Sequence, residues 1–249
     1  MAQSTGERPV VLVTGGSRGI GAAICRLAAQ RGYDVGVNYR VARDEAERVV
    51  AECRDLGAQA LAIPGDMAVE RDIIAAFDAA ASLGPIRHVV NNAGITGPSS
   101  RFAEVSADTI RTCIDVNVTG AILVAREAAR RLTRGGSLVN ISSVAAGLGS
   151  PGEYVWYAAS KGAIDSLTIG MSKELAAEGI RVNAVSPGLI ETEIHALSTG
   201  EPGRVERIAP LIPMGRAGQA HEIAEAVLFL ISEGASYVTA ANLKVSGAR

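Results

Sequence analysis

The sequence predicts a doubly wound α/β fold, a seven-stranded parallel sheet covered by helices on both faces. Three observations carry that expectation. Short β-branched runs alternate along the chain with stretches of helical period. The runs are apolar nearly throughout, as strands buried on both faces require. A glycine-rich turn, Thr14-Gly15-Gly16-Ser17-Arg18-Gly19-Ile20-Gly21, separates the first run from the first helical stretch.

The elements follow in order. Val10 to Val13 reads as the first strand, and 19–31, rich in Ala, Ile and Leu, as the first helix. A strand over 34–39 and a helix over 42–56 come next, with Gly57 as the stop signal. A third strand spans 58–63, and a helix spans 69–82, ending before Gly84-Pro85. The fourth strand covers 88–91 and a long helix 106–132. A strand at 137–142, a second long helix at 156–178 and a strand at 180–185 lead to Pro187-Gly188. Residues 191–218 are Gly/Pro-rich and read as irregular, suited to a mobile cover over a substrate. A helix at 220–232 and a short strand at 243–245 close the chain. With no linker-like segment, residues 1–249 read as one domain.

Composition narrows the function classes. Hydrophobic residues make up 48% and charged residues 20%, which excludes a disordered chain. A net charge of −2 gives no electrostatic reason to expect nucleic acid or an anionic membrane as partner. Cys25, Cys53 and Cys113 are scattered and form no CxxC pair, as expected of thiols in a reducing compartment. His88, His195 and His221 lack metal-ligand spacing, so no metal is expected. The first residues lack the apolar core of a signal peptide, and the chain reads as cytoplasmic.

The glycine turn has two readings. Gly15 and Gly19 permit a tight turn, Gly21 lets the following helix approach the sheet, and the helix start offers N–H groups to a pyrophosphate. Ser17, Arg18 and Ile20 complete this candidate dinucleotide cradle. Gly15-Gly16-Ser17-Arg18-Gly19 also satisfies G-x-S-x-G, the nucleophile elbow of serine hydrolases, with His195 or His221 as the base. Its place after the first strand disfavours the hydrolase. The second strand ends Asn38-Tyr39-Arg40, with no carboxylate before Asp44. Arg18 and Arg40, in place of an acid, favour a 2′-phosphate and hence NADP(H), with NAD(H) possible.

Tyr157 and Lys161, four residues apart, share one helix face. An ammonium beside a phenol favours the phenolate and draws its pKa toward neutrality, so the pair is a candidate proton-transfer device. An exposed helix pair is the plain alternative.

Together these motifs resemble a classical short-chain dehydrogenase/reductase over essentially the whole chain. The matching residues are the glycine turn, Asp66, Asn91-Asn92-Ala93-Gly94, Asn117, Ser143, Tyr157 with Lys161, and Pro187 to Thr192. The stretch Ser150 to Tyr157 looks like members acting as glucose-1-dehydrogenases or 3-oxoacyl reductases. The resemblance implies a Rossmann fold and hydride transfer between nicotinamide and a carbonyl or secondary alcohol. It implies Tyr157 as general acid/base, with Lys161 also on the nicotinamide ribose. Ser143 would bind the substrate oxygen, Ser142 being the alternative hydroxyl, and Asn117 would hold a relay water. Asp66 and Met67 would meet the adenine, and Asn92, Ala93 and Gly94 the adenosine side. Pro187, Gly188, Ile190 and Thr192 would hold the nicotinamide. It further implies a homotetramer or homodimer. Arg130, Arg131 and Lys173 could dock an acyl carrier, though solvated helix faces are the plainer reading. Arg87, Ala240 and the end Val245-Ser246-Gly247-Ala248 depart from the family pattern, away from the chemistry. An NAD-dependent sugar or alcohol dehydrogenase and a non-catalytic dinucleotide-binding regulator are the competing functions.

Overall fold

The structure, a computed structural model, describes residues 8–192 and 203–249. From the N-terminal side, β1 (Val10–Val13), α1 (Gly19–Gln30), β2 (Asp34–Tyr39), α2 (Arg43–Asp55), β3 (Ala60–Pro64) and α3 (Glu70–Ala81) form the first half. Then β4 (Ile86–Asn91), α4 (Ala107–Ile114), α5 (Ala121–Arg131), β5 (Ser137–Ile141), α6 (Ala145–Leu148), α7 (Val155–Leu175) and β6 (Arg181–Pro187) follow. The chain closes with β7 (Ile190–Glu191), α8 (Arg204–Ile208), β8 (Gly218–Gln219), α9 (Ala220–Ile231) and β9 (Asn242–Val245).

Seven strands make one sheet in the order β3-β2-β1-β4-β5-β6-β9, and every pairing is parallel. The order reverses between β1 and β4, where Val13 pairs with Val37 on one side and Val90 on the other. Parallel strands need crossovers, and helices supply them on both faces. One core layer joins Ile24, Ala28, Val49, Val227 and Leu228 to the sheet, and the other joins Ile73, Phe77, Val124, Ala128 and Leu175. Phe77 is fully buried, which stabilises the fold by about 2–3 kcal/mol. No helix of the described residues is long and apolar enough to cross a membrane.

Two sequence expectations need correction. The helix expected over 106–132 is interrupted: between α4 and α5, Asp115–Gly120 form a π-helical turn. The segment 191–218 is not wholly irregular, since β7 pairs with β8 and α8 is followed by a 3-10 turn at Ala209–Leu211. A capping box between Gln219 and Glu222 starts α9.

Ala240, where the family pattern has glycine, sits at φ +62°. Bonds to β6 hold it there: the Ala240 N–H donates to Val182 O at 3.0 Å or less (2.9 Å), and the Ala241 N–H to Asn183 Oδ1 at 3.0 Å. A left-handed alanine is strained by about 1–2 kcal/mol, partly offset by its lower unfolded-state entropy. Ala240→Gly is expected to stabilise the protein by about 0.5–1 kcal/mol, read as a higher urea midpoint. A lower midpoint would show the strain to be relieved elsewhere.

Candidate active site

The glycine turn lies at the carboxyl end of β1, at the switch point of the sheet. Gly15 and Gly19 have φ of +62° and +52°. A Cβ on Gly21 would stand 2.2 Å from Gly15 O and 2.7 Å from Asn92 Nδ2, so only glycine fits. Thr14 Oγ1 accepts from the N–H groups of Asn92 (2.9 Å) and Ala93 (3.0 Å), and Asn92 Nδ2 donates to Thr14 O and Gly15 O. These bonds tie the ends of β1 and β4 together. Asn38, a buried polar residue that the sequence reading did not single out, fixes the turn from β2: its Oδ1 accepts from Gly15 N.

A cavity of about 1000 Å³ opens over these strand ends. Its walls include Gly15, Ser17, Arg18, Gly19, Ile20 and Gly21 of the turn, and Asn92, Ala93 and Gly94 after β4. Ser143, Tyr157 and Lys161 lie along the same cavity, with Pro187, Gly188, Ile190 and Thr192 opposite the turn. A Cβ on Gly19 would touch Thr192 Cγ2 at 3.4 Å, so the segment after β6 reaches the cradle. The bare backbone of this cradle fits the approach of a pyrophosphate, and the cavity is large enough for a dinucleotide.

Not every expected contact faces this space. Tyr39 and Met67 are core side chains, 8% and 6% exposed, Tyr39 in the layer with α1 and α2 and Met67 in the layer with α3. Neither is among the residues lining the cavity. Arg40 and Asp66 also lie outside its lining and pair with each other, with Arg40 Nη1 3.6 Å from Asp66 Oδ2. Arg40 is exposed.

Lys161 is 5% exposed, and its Nζ donates to Ile141 O at 2.8 Å. Burial lowers its pKa to about 8. Nζ lies 5.7 Å from the centre of the Tyr157 ring. Burial pushes the Tyr157 phenol above its ordinary value, against the downward pull of a Ser143 hydrogen bond. The expectation of a lowered phenol therefore fails for the protein alone, because desolvation outweighs the neighbouring donors and cations.

The two serines after β5 are differently placed. Ser142 is buried and donates to Asp165 Oδ1 at 2.6 Å, whereas Ser143 faces the cavity beside Tyr157. Asn117, in the π turn, is 1% exposed and clamps Ile95 from both sides: Oδ1 accepts from Ile95 N at 2.9 Å and Nδ2 donates to Ile95 O at 2.8 Å. A Cβ on Gly94 would stand 3.3 Å from Asn117 Oδ1 and 3.4 Å from Lys161 Nζ, so Gly94 keeps a gap open between them.

The cavity is also lined by Glu153 and Tyr154, and by Arg204, Arg207 and Leu211 of the stretch expected to cover a substrate. The hydrolase reading finds no support in the described residues. His88 is buried on Ser137, His221 is exposed on α9, and neither hydrogen-bonds Ser17. His195 lies outside the described residues. Arg130 and Arg131 are ion-paired with Glu127, and Arg131 also with Asp78, which leaves little free charge for a carrier.

A glycine cradle at the switch point, with a phenol and a buried ammonium beyond it, has the architecture of a dinucleotide-dependent oxidoreductase. Residues 15–247 match the family model described as Enoyl-(Acyl carrier protein) reductase. The chain is 48% identical over 246 residues to the uncharacterized oxidoreductase YgfF of Escherichia coli (strain K12), covering 96% of this chain and 99% of that protein. It is 38% identical over 248 residues to an L-rhamnose 1-dehydrogenase (NAD(P)(+)) of Sphingomonas sp. (strain SKA58), covering 97% and 96%. A short-chain dehydrogenase from Burkholderia cenocepacia J2315, in complex with NADP, superposes with a TM-score of 0.91 at 32% identity, covering 97% of each chain. The chain belongs to the short-chain dehydrogenase/reductase family. It is an NAD(P)-dependent oxidoreductase acting on CH–OH and C=O groups.

Proposed function

We propose that the protein is an NADP(H)-dependent reductase of a small carbonyl compound, with Tyr157 as general acid. The observation that carries this reading is the meeting of Tyr157, Ser143 and Lys161 on the wall of the cavity that the glycine turn opens. A reduced nicotinamide held in the cavity would supply the hydride for the carbonyl carbon. Negative charge then develops on the carbonyl oxygen, and Tyr157 donates its proton to that oxygen. A phenol raised by burial is protonated at neutral pH, which suits it to reduction. Ser143 donates a hydrogen bond to the same oxygen. Lys161, still mostly charged at pH 7, holds the nicotinamide ribose and stabilises the phenolate left behind. Asn117 orders the backbone at Ile95 and, through the gap at Gly94, a path by which a proton returns.

Arg18 and Arg40 would engage the 2′-phosphate, and the Burkholderia relative holds NADP. Arg18→Ala with Arg40→Ala is expected to raise the KM for NADPH roughly ten- to a hundredfold and to leave that for NADH within about twofold. Steady-state kinetics with both cofactors against ketones, aldoses and acyl thioesters test cofactor and substrate together. A wild-type preference for NADH, or no turnover of any carbonyl, would overturn the reading.

A sugar dehydrogenase is the second reading. It is favoured by the polar far end of the cavity, with Ser99, Glu153 and Arg204, and by the similarity to the rhamnose enzyme. In either case the chain works as one domain and in the cytoplasm. Exposed apolar residues on α5 and α7 (Ile122, Ile169) and near the β9 edge (Phe229, Tyr237, Leu243) support a homotetramer.

A further inference from the structure

The far wall of the cavity contains an ion pair that the mechanism above leaves unused. Arg204, the first residue of α8, is 7% exposed although charged. Its Nη2 donates to Glu153 Oε2 at 2.7 Å, and Arg207 approaches the other carboxylate oxygen at 3.1 Å. The Arg204 guanidinium also lies over the Tyr154 ring, 5.2 Å from its centre. Tyr154 in turn meets Tyr157 edge to face, with ring centres 5.9 Å apart. The contacts therefore run unbroken from the segment after β7 to the reacting phenol. A buried cation needs partners, and Glu153 supplies one here.

We infer that Arg204, fastened by Glu153 and stacked on Tyr154, is a positioning residue that sets a second positive charge, besides Lys161, one aromatic ring away from Tyr157. The inference rests on Tyr157 being the proton-transfer group. Among the described residues, the groups facing Tyr157 are Ser143 from the end of β5, Cys113 from α4, Lys161 from its own helix, Tyr154 against its ring and Arg204 from α8. Ser143 and Arg204 pull the phenol toward ionisation, while burial and Cys113 push the other way. Glu153 touches both Arg204 and Tyr154 and carries the opposite charge. Removing one member or the other should therefore change the field at Tyr157 in opposite directions.

The test is the pH profile of kcat for alcohol oxidation, in which the rate rises as Tyr157 loses its proton. Arg204→Met is expected to move the rising limb up by about one pH unit, which is about a tenfold loss of rate below the limb. Glu153→Gln removes the negative charge, keeps the cation, and is expected to move the limb down. Arg204→Lys keeps the charge and is expected to leave the limb in place. NADPH affinity, measured by fluorescence titration, should hold within about twofold in all three, since the pair lies away from the glycine cradle. Limbs that move in the same direction, or activity lost with no movement, would overturn the inference. If Arg204→Met does not fold, a downward shift in Glu153→Gln still decides for it, and an unmoved limb decides against it. A wild-type enzyme that turns over while these limbs stay fixed sinks this inference alone. A wild type with no turnover sinks it together with the proposed function.

Discussion

Tyr157→Phe is expected to lower kcat roughly a hundred- to ten-thousandfold while leaving the Kd for NADPH within about twofold. The substitution removes one oxygen and keeps the ring, so the edge contact with Tyr154 survives. What disappears is the proton for the carbonyl oxygen. Ser143 remains to hydrogen-bond that oxygen, but a serine hydroxyl is too weak an acid to replace a phenol. Single-turnover reduction with prebound NADPH is the direct measurement, because it removes cofactor release from the observed rate. A variant with kcat within about threefold of wild type would remove Tyr157 from the mechanism.

Gly21→Ala should be the most damaging single methyl group in the nucleotide half. Its Cβ would lie 2.2 Å from a backbone carbonyl, Gly15 O, and 2.7 Å from Asn92 Nδ2. A flexible side chain could step aside, but a carbonyl within a turn at φ +62° cannot without opening the turn. Asn92 would also lose its bonds to Thr14 O and Gly15 O, which close the seam between β1 and β4. Overpacking of this kind costs about 1–3 kcal/mol, and if the distortion falls on the phosphate cradle, NADPH binding weakens by roughly ten- to a hundredfold. Isothermal titration with NADPH, alongside circular dichroism to confirm folding, measures it. Unchanged affinity in a folded variant would place the pyrophosphate elsewhere.

The parts of the fold that were legible in the sequence were those governed by local rules. Short β-branched runs alternating with helical stretches sufficed for the parallel sheet, and the glycine turn marked its switch point. Tyr157 and Lys161 could be paired because one helix turn separates them. The failures have physical causes too. Tyr39 and Met67 stand next to residues that face solvent or the site, but only tertiary packing decides that their own side chains turn into the core. Arg204 meets Glu153 across 51 positions, from a five-residue helix in a Gly/Pro-rich stretch, and no local pattern announces that contact. Asn38 was passed over because a lone asparagine in an apolar strand carries no period of its own, although it holds both Gly15 and the carbonyls of Ile63 and Gly65.

The π-helical turn at Asp115–Gly120 explains why one uninterrupted helix could not serve this chain. An α-helix advances a fixed angle per residue, so once one side chain is aimed, every later one is aimed with it. Here α4 aims Cys113 at Ile95, the π turn itself carries Asn117 to the same residue, and α5 must seat Val124, Ala125 and Ala128 against the sheet. The wider turn supplies a change of phase between those two demands. Gly120 ends it within reach of Met67 O, where a Cβ would stand 2.1 Å away. The segment is therefore two gears meshed with different neighbours, and the wider turn carrying Asn117 lets each be set independently of the other.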